Sequence, residues 1–178
     1  LHDLPAAYDF AARMHSGQTR KGAAGEPYVN HVIDVAARVA RSPHADRTLI
    51  LGALLHDVVE DTAGTAETIA EMFGDAVAQL VLEVTDNKAL PKAQRKRLQE
   101  ETVRFKSDHA KRIKLADKAS NLAALAESPP ETWDSARRAA YIDWAERVIA
   151  GCRGVDQNLE DAFDEALRRA RRAMEAQA

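Results

Sequence analysis

In the segment LILGALLHDVVEDT, residues 49–62, an apolar run ends in His56-Asp57 and continues to Glu60-Asp61. On a helix turning about 100° per residue, about 40° separates His56 from Glu60, and the same separates Asp57 from Asp61. All four then fall within an arc of about 140°, with Val58 and Val59 anchoring the opposite side in the core. One imidazole and three carboxylates so arranged could hold a cation. Acids at the end of a helix oppose its dipole, and burying them unpaired costs far more, so something positive is expected beside them. The alternative is an amphipathic helix with an acidic, solvated tip, which accounts poorly for His56 beside the apolar run.

Two other segments supply matching donors. His31 lies in YVNHVIDV among apolar neighbours, where it is either a ligand or a buried, hydrogen-bonded ring. In KLADKASNL, Lys114, Asp117, Lys118 and Asn121 recur at helical spacing, while Leu115, Ala119, Leu122 and Leu125 suit core positions. A lysine-rich solvated face is the alternative there, with Asp117 its least comfortable member. His31, His56, Asp57 and Asp117 together make a four-donor set of nitrogen and oxygen. Lacking thiolates, such a set suits Mn, Fe, Co or Zn and leaves positions for water and substrate.

Helical periodicity supplies the elements that must carry these residues. PAAYDFAARMH places Tyr8, Ala11, Ala12 and His15 on one face, and GQTRKGAAGE (17–26) reads as a glycine-rich loop. Pro27 opens a helix with Val29, Val32, Ile33, Ala36, Ala37 and Ala40 in one stripe, and a third helix carries 49–62. TAETIAEMFG is capped by Thr65 and stopped by Gly74, and DAVAQLVLEVTD has an acidic cap at Asp75. Pro91 starts PKAQRKRLQEETVRFK, and DHAKRIKLADKASNLAALAE stops before Ser128-Pro129-Pro130. Two helices, about 131–150 and 155–176, complete the chain. With no alternating strand, hairpin dipeptide, repeat or linker, the expectation is one all-α domain over residues 1–178, with eight or nine helices.

Composition narrows the function classes. The 178 residues are 46% hydrophobic and 30% charged with a net charge of -3, which describes a globular chain and argues against a dedicated nucleic-acid binder. The basic runs KAQRKR and RRARR read as solvated helix faces. A single cysteine, Cys152, rules out an intramolecular disulfide and suits a reducing, cytoplasmic setting. The longest apolar run, Leu49–Leu55, is far short of the ~20 residues that span a bilayer, and no export segment is expected.

The pattern His31, His56-Asp57, Asp117 on successive helices resembles the HD phosphohydrolase superfamily. RKGAAGEPYVNH, ALLHDVVEDT, VTDNKALPKAQRKRLQ, KLADKASNL and YIDWAERVIAG, in that order, narrow the resemblance to the hydrolase domain of RelA/SpoT proteins. By size and by the LPK…RKRLQ segment it is similar to the stand-alone small alarmone hydrolases. The resemblance implies an all-α fold, one Mn2+ ion held by His31, His56, Asp57 and Asp117, and removal of the 3′-pyrophosphate from ppGpp or pppGpp to give GDP or GTP. It further implies Glu60 and Asp61 as the catalytic pair that orients and deprotonates water. Arg20 and Lys21 fall on phosphate- and base-contacting positions, Tyr28 on a pocket tyrosine, Lys92 and Arg137 near the phosphates, and Asn121 at the nucleoside. For Arg20-Lys21 the bland alternative is a solvated loop, and for Tyr28 and Tyr141 simple packing. One departure is the small pair Ala119-Ser120, where the family usually has bulkier residues. A smaller wall there would widen the pocket and admit other nucleotides, so a broader phosphohydrolase acting on substrates such as NADPH is the second expectation. A non-catalytic alarmone-binding regulator is the third. A synthetase role is not expected.

Overall fold

Short polar side chains set five of the helix starts. Asp46, Thr65, Ser107, Asp134 and Asp156 each accept a hydrogen bond from the amide three residues on, satisfying a donor that the first turn leaves open. The structure, a computed structural model, describes residues 3–176. In chain order the helices are α1 (Asp3–Met14), α2 (Val29–Val39), α3 (Arg47–Leu55), α4 (Val58–Asp61) and α5 (Ala66–Phe73). They continue with α6 (Asp75–Val84), α7 (Lys92–Thr102), α8 (Asp108–Glu127), α9 (Ser135–Ala150) and α10 (Gln157–Glu175). A 3-10 turn, Val103–Phe105, follows α7. The all-α expectation holds among the described residues, where the β pairing is an isolated bridge between Thr19 and Pro27. α4 is a single turn; the other nine match the expected number.

α8 is the centre of the molecule. Nine consecutive residues, Arg112 to Ser120, are buried, so this helix has no solvated face along its middle. Its polar members must therefore find partners inside. Lys114 donates to the Val84 carbonyl at 2.8 Å, Lys118 to Asp117 at 2.8 Å and Arg112 to the Val155 carbonyl at 3.0 Å. The solvated lysine face considered for KLADKASNL does not exist. α2, α3, α6, α9 and α10 pack around α8 and complete a continuous apolar core. No helix among the described residues is long and apolar enough to cross a membrane.

Several local expectations shift. On α1 the buried positions are Ala7 and Ala11, with His15 buried just beyond its end, while Tyr8 is 46% exposed. On α2 the buried stripe is His31, Val32, Val35, Ala36 and Val39; Ala37 and Ala40 face outward. His31 thus belongs to the apolar face. Gly74, with φ 97°, is itself the cap of α6, so Asp75 is the first helical residue and makes no capping bond. α9 starts at Ser135, behind the Asp134 cap, four residues later than expected.

The helix expected over 49–62 is broken. α3 ends at Leu55, His56 and Asp57 form a turn, and α4 begins at Val58. The His56 ring is the cause: its Nδ1 donates to the Ala53 carbonyl at 2.8 Å, the acceptor that a continuing helix would offer to the Asp57 N–H. Asp57 consequently sits at φ -100°, ψ -3°, in the bridge region. The four chemical residues therefore do not share one helical arc, and their grouping depends on this turn.

Candidate metal centre and ligand cavity

α2 contributes His31, the α3–α4 turn His56 and Asp57, and α8 Asp117. His31 Nε2 lies 3.3 Å from Asp117 Oδ1 and 3.6 Å from Asp57 Oδ2, and His56 Nε2 lies 3.1 Å from Asp57 Oδ2. Donor atoms of His31, His56 and Asp117 all fall within 4.8 Å of one another. The far side of each ring is fixed. His56 Nδ1 is spent on Ala53, and His31 Nδ1 is 3.0 Å from Ser120 Oγ, so both Nε2 atoms point inward. His56 Nε2 is buried without a hydrogen-bond partner.

The charges suit this geometry at His31, Asp57 and Asp117, while His56 must give up a proton to ligate. Burial pulls the His31 pKa down and favours its neutral, ligating form. At His56 burial acts the same way, but the Asp57 carboxylate outweighs it and raises the ring to about 9. Burial opposes ionisation of Asp57 and Asp117 as well, yet His56 beside the first and Lys118 beside the second hold both well below the usual carboxylate range. Two ionised carboxylates and two inward imidazole nitrogens are a donor set that fits a divalent cation.

Around these four lies a second layer. Tyr28 donates its hydroxyl to Asp57 Oδ2 at 2.7 Å, and Asn121 donates to Asp117 Oδ1 at 2.6 Å. Arg20 reaches Asn121 Oδ1 at 3.0 Å. Tyr28 and Asn121 thus touch the candidate ligands as well as lining the neighbouring cavity. Lys118, which received no role in the sequence, is buried between Asp117 and the Trp144 ring, 4.7 Å from the ring centroid. Its spacing in KLADK was visible; its burial was not.

Glu60 and Asp61 project from α4 into a cavity of about 510 Å³. Glu60 Oε2 accepts from the Asp86 N–H at 3.0 Å, while Oε1 lies 3.7 Å from Arg95 and 3.8 Å from Lys88. Asp61 pairs with Lys88. Burial raises the Glu60 pKa above its ordinary value. Arg20, Lys21, Tyr28, Lys92, Asn121 and Arg137 all line this cavity. Lys88, Arg95 and Lys96 line it too. Burial, then the like charges of Lys21, Arg137 and Arg95, depresses the Lys92 pKa, as expected where cations converge.

The KAQRKR run is therefore not a plain solvated face, because Arg95 and Lys96 turn inward with Lys92. α7 buries none of its residues, so composition gave no sign of this. The RRARR run does behave as a solvated face: Arg168, Arg169 and Arg171 pair with Glu165, Glu127 and Glu146 on the surface. Trp133, Tyr141 and Trp144 add an aromatic wall to the cavity, with Lys96 4.4 Å from the Trp144 centroid. Ala119 is wholly buried, and Ser120 lines a second, adjoining cavity of about 350 Å³. The small pair thus opens space behind His31 rather than in the cavity that holds Glu60.

Gly22 fixes the loop that carries Arg20 and Lys21. A Cβ at this position would lie 2.4 Å from the Ser128 carbonyl oxygen, and the nearby Ala24 N–H bonds Ser128 Oγ at 2.8 Å. Gly22→Ala should push the loop off the end of α8. The expected result is a KM for an anionic substrate raised by about tenfold or more, with kcat affected less; steady-state kinetics decide it.

Known proteins resemble the chain over most of its length. An HD domain family model matches residues 7–147. The chain belongs to the HD-domain family. Within that class it is similar to the human guanosine-3′,5′-bis(diphosphate) 3′-pyrophosphohydrolase MESH1, at 46% identity over 158 residues, 88% of each chain. The Drosophila melanogaster MESH1 is 45% identical over 160 residues, 89% of each chain. A solved structure described as a metazoan ortholog of SpoT that hydrolyzes ppGpp superposes with a TM-score of 0.90 at 43% identity, covering 94% of this chain and 95% of that one.

Proposed function

We propose that this protein is a Mn2+-dependent hydrolase of the 3′-pyrophosphate of ppGpp and pppGpp. The observation that carries the proposal is the meeting of His31, His56, Asp57 and Asp117 beside Glu60, at the edge of a cation-lined cavity. Those four residues would hold one ion, which supplies positive charge that lowers the pKa of water and neutralises phosphoryl oxygens. Glu60 and Asp61 orient and deprotonate the attacking water, and the raised pKa of Glu60 suits a base. Water oxygen bonds to the phosphorus attached to the ribose 3′ oxygen, that O–P bond breaks, and the 3′ oxygen takes up a proton. The products are GDP or GTP and pyrophosphate. Arg20, Lys21, Lys92 and Arg137 bind the phosphates, while Tyr28 and Asn121 shape the nucleoside end and steady the ligand carboxylates. The chain acts as one HD-type domain in the cytoplasm, tuning the stringent response, with no nucleic-acid partner.

A panel of ppGpp, pppGpp, GTP and NADPH with Mn2+ tests the substrate. The guanosine bis(diphosphate) substrates should turn over fastest. Equal or better turnover of NADPH would replace the proposal with the broader phosphohydrolase, and ppGpp bound but uncleaved in excess Mn2+ would make the protein a regulator. Because Ala119-Ser120 does not widen the main cavity, the structural motive for the broader substrate range is weak.

A further inference from the structure

α4 is four residues long, and an isolated turn of helix does not hold its own shape. The positions of Glu60 and Asp61 must therefore be set by bonds from outside. One of these comes from Gln18, in the loop after α1. Its Nε2 donates to the Asp61 backbone carbonyl at 2.9 Å, one of the acceptors that the end of a helix leaves open. Every other polar group of Gln18 is also committed. Its N–H donates to the His15 carbonyl at 3.0 Å, its carbonyl accepts from the Tyr28 N–H at 2.9 Å, and its Oε1 lies 2.9 Å from His15 Nδ1.

The amide orientation follows from its partners. A carbonyl only accepts, so the NH2 group faces Asp61 and Oε1 faces His15, which makes His15 Nδ1 the donor. The His15 ring is 2% exposed, its Nε2 has no hydrogen-bond partner, and its centroid lies 5.0 Å from that of Tyr28. Tyr28 in turn holds Asp57. One side chain thus ties the end of α1, the segment entering α2 and the turn bearing Glu60-Asp61 into a single unit.

We infer that Gln18, oriented by His15, is a positioning residue that sets the Glu60-Asp61 turn against the candidate metal centre. The inference rests on the proposed function for its kinetic readout. In Gln18→Leu, kcat for ppGpp falls about 10²-fold, the scale for a reacting group misplaced by about 1 Å, while KM and Mn2+ affinity stay within about threefold. Gln18→Glu keeps the size and the acceptor for His15 but has no N–H for Asp61, so it loses as much as Gln18→Leu. His15→Asn retains a side-chain N–H for Gln18 and keeps most of the rate, whereas His15→Leu does not.

A wild-type kcat in Gln18→Leu overturns the inference. So does a loss that tracks Mn2+ occupancy or the folded fraction, because Gln18 would then be merely structural. If the unaltered protein leaves ppGpp intact, it is the proposed function that fails. Amide hydrogen exchange then reads the brace directly: faster exchange at Asp61 and Thr62 in Gln18→Leu, with α8 unchanged, supports it, and unaltered exchange overturns it.

Discussion

Asp57→Ala or His56→Ala should leave a folded protein that binds no divalent ion and turns over no ppGpp. Asp57 Oδ2 stands 3.1 Å from one candidate imidazole and 3.6 Å from the other, so its removal strips the set of the carboxylate that bridges both rings. It also leaves the Tyr28 hydroxyl without its acceptor and a buried His56 without its counter-charge. Removing His56 takes away the buried nitrogen that faces Asp57 across 3.1 Å. Loss of an outer partner of a metal site typically costs 10–100-fold in affinity or activity, and loss of a direct donor should exceed that. Metal analysis after dialysis, circular dichroism and turnover, measured on one preparation, check the result. A metal-free variant with normal turnover would end the proposed mechanism.

Glu60→Gln should behave differently. The ion stays, since Glu60 is not among the four candidate donors, and the amide oxygen can still accept from Asp86. The rate should fall by about 10²–10⁴-fold, the usual contribution of a general base. Burial raises the Glu60 pKa, and that shift has two consequences. As pH falls through the raised value the base is protonated, so the acid limb of kcat/KM should lie above the ordinary glutamate pKa and vanish in the variant. A carboxyl group with a raised folded-state pKa contributes stability that is full below its unfolded value and is lost as pH rises through the folded one. Once pH has risen through that raised value Glu60 is ionised at a cost to the fold, and there Glu60→Gln should be at least as stable as the unaltered chain. A variant with near-normal turnover would remove Glu60 from the role of base.

What the sequence revealed and what it hid have a common physical origin. His31, His56, Asp57 and Asp117 stood out because imidazoles and carboxylates beside Leu, Ile and Val are costly unless something answers their charge. Those same residues meet in the structure. The break at His56-Asp57 was invisible because it depends on a side-chain bond to Ala53 that no helical periodicity encodes. Likewise the burial of Lys114 and Lys118 follows from where α6 and α9 pack on α8, and a polar spacing alone reads as a solvated face. Arg95 and Lys96 read as surface charge because they stand in a basic run of a net acidic chain, and every residue of α7 is at least partly exposed; only its docking along the cavity gives the run a direction. Gln18 carried no signal at all, since glutamine in a glycine-rich loop is unremarkable until its four bonds are seen.

The most direct test is product identification from ppGpp in the presence of Mn2+. The proposed chemistry predicts GDP and pyrophosphate in equal amounts, with both lost on chelation of the metal and regained on its return. Orthophosphate as the released product, or release that chelation leaves untouched, would contradict it.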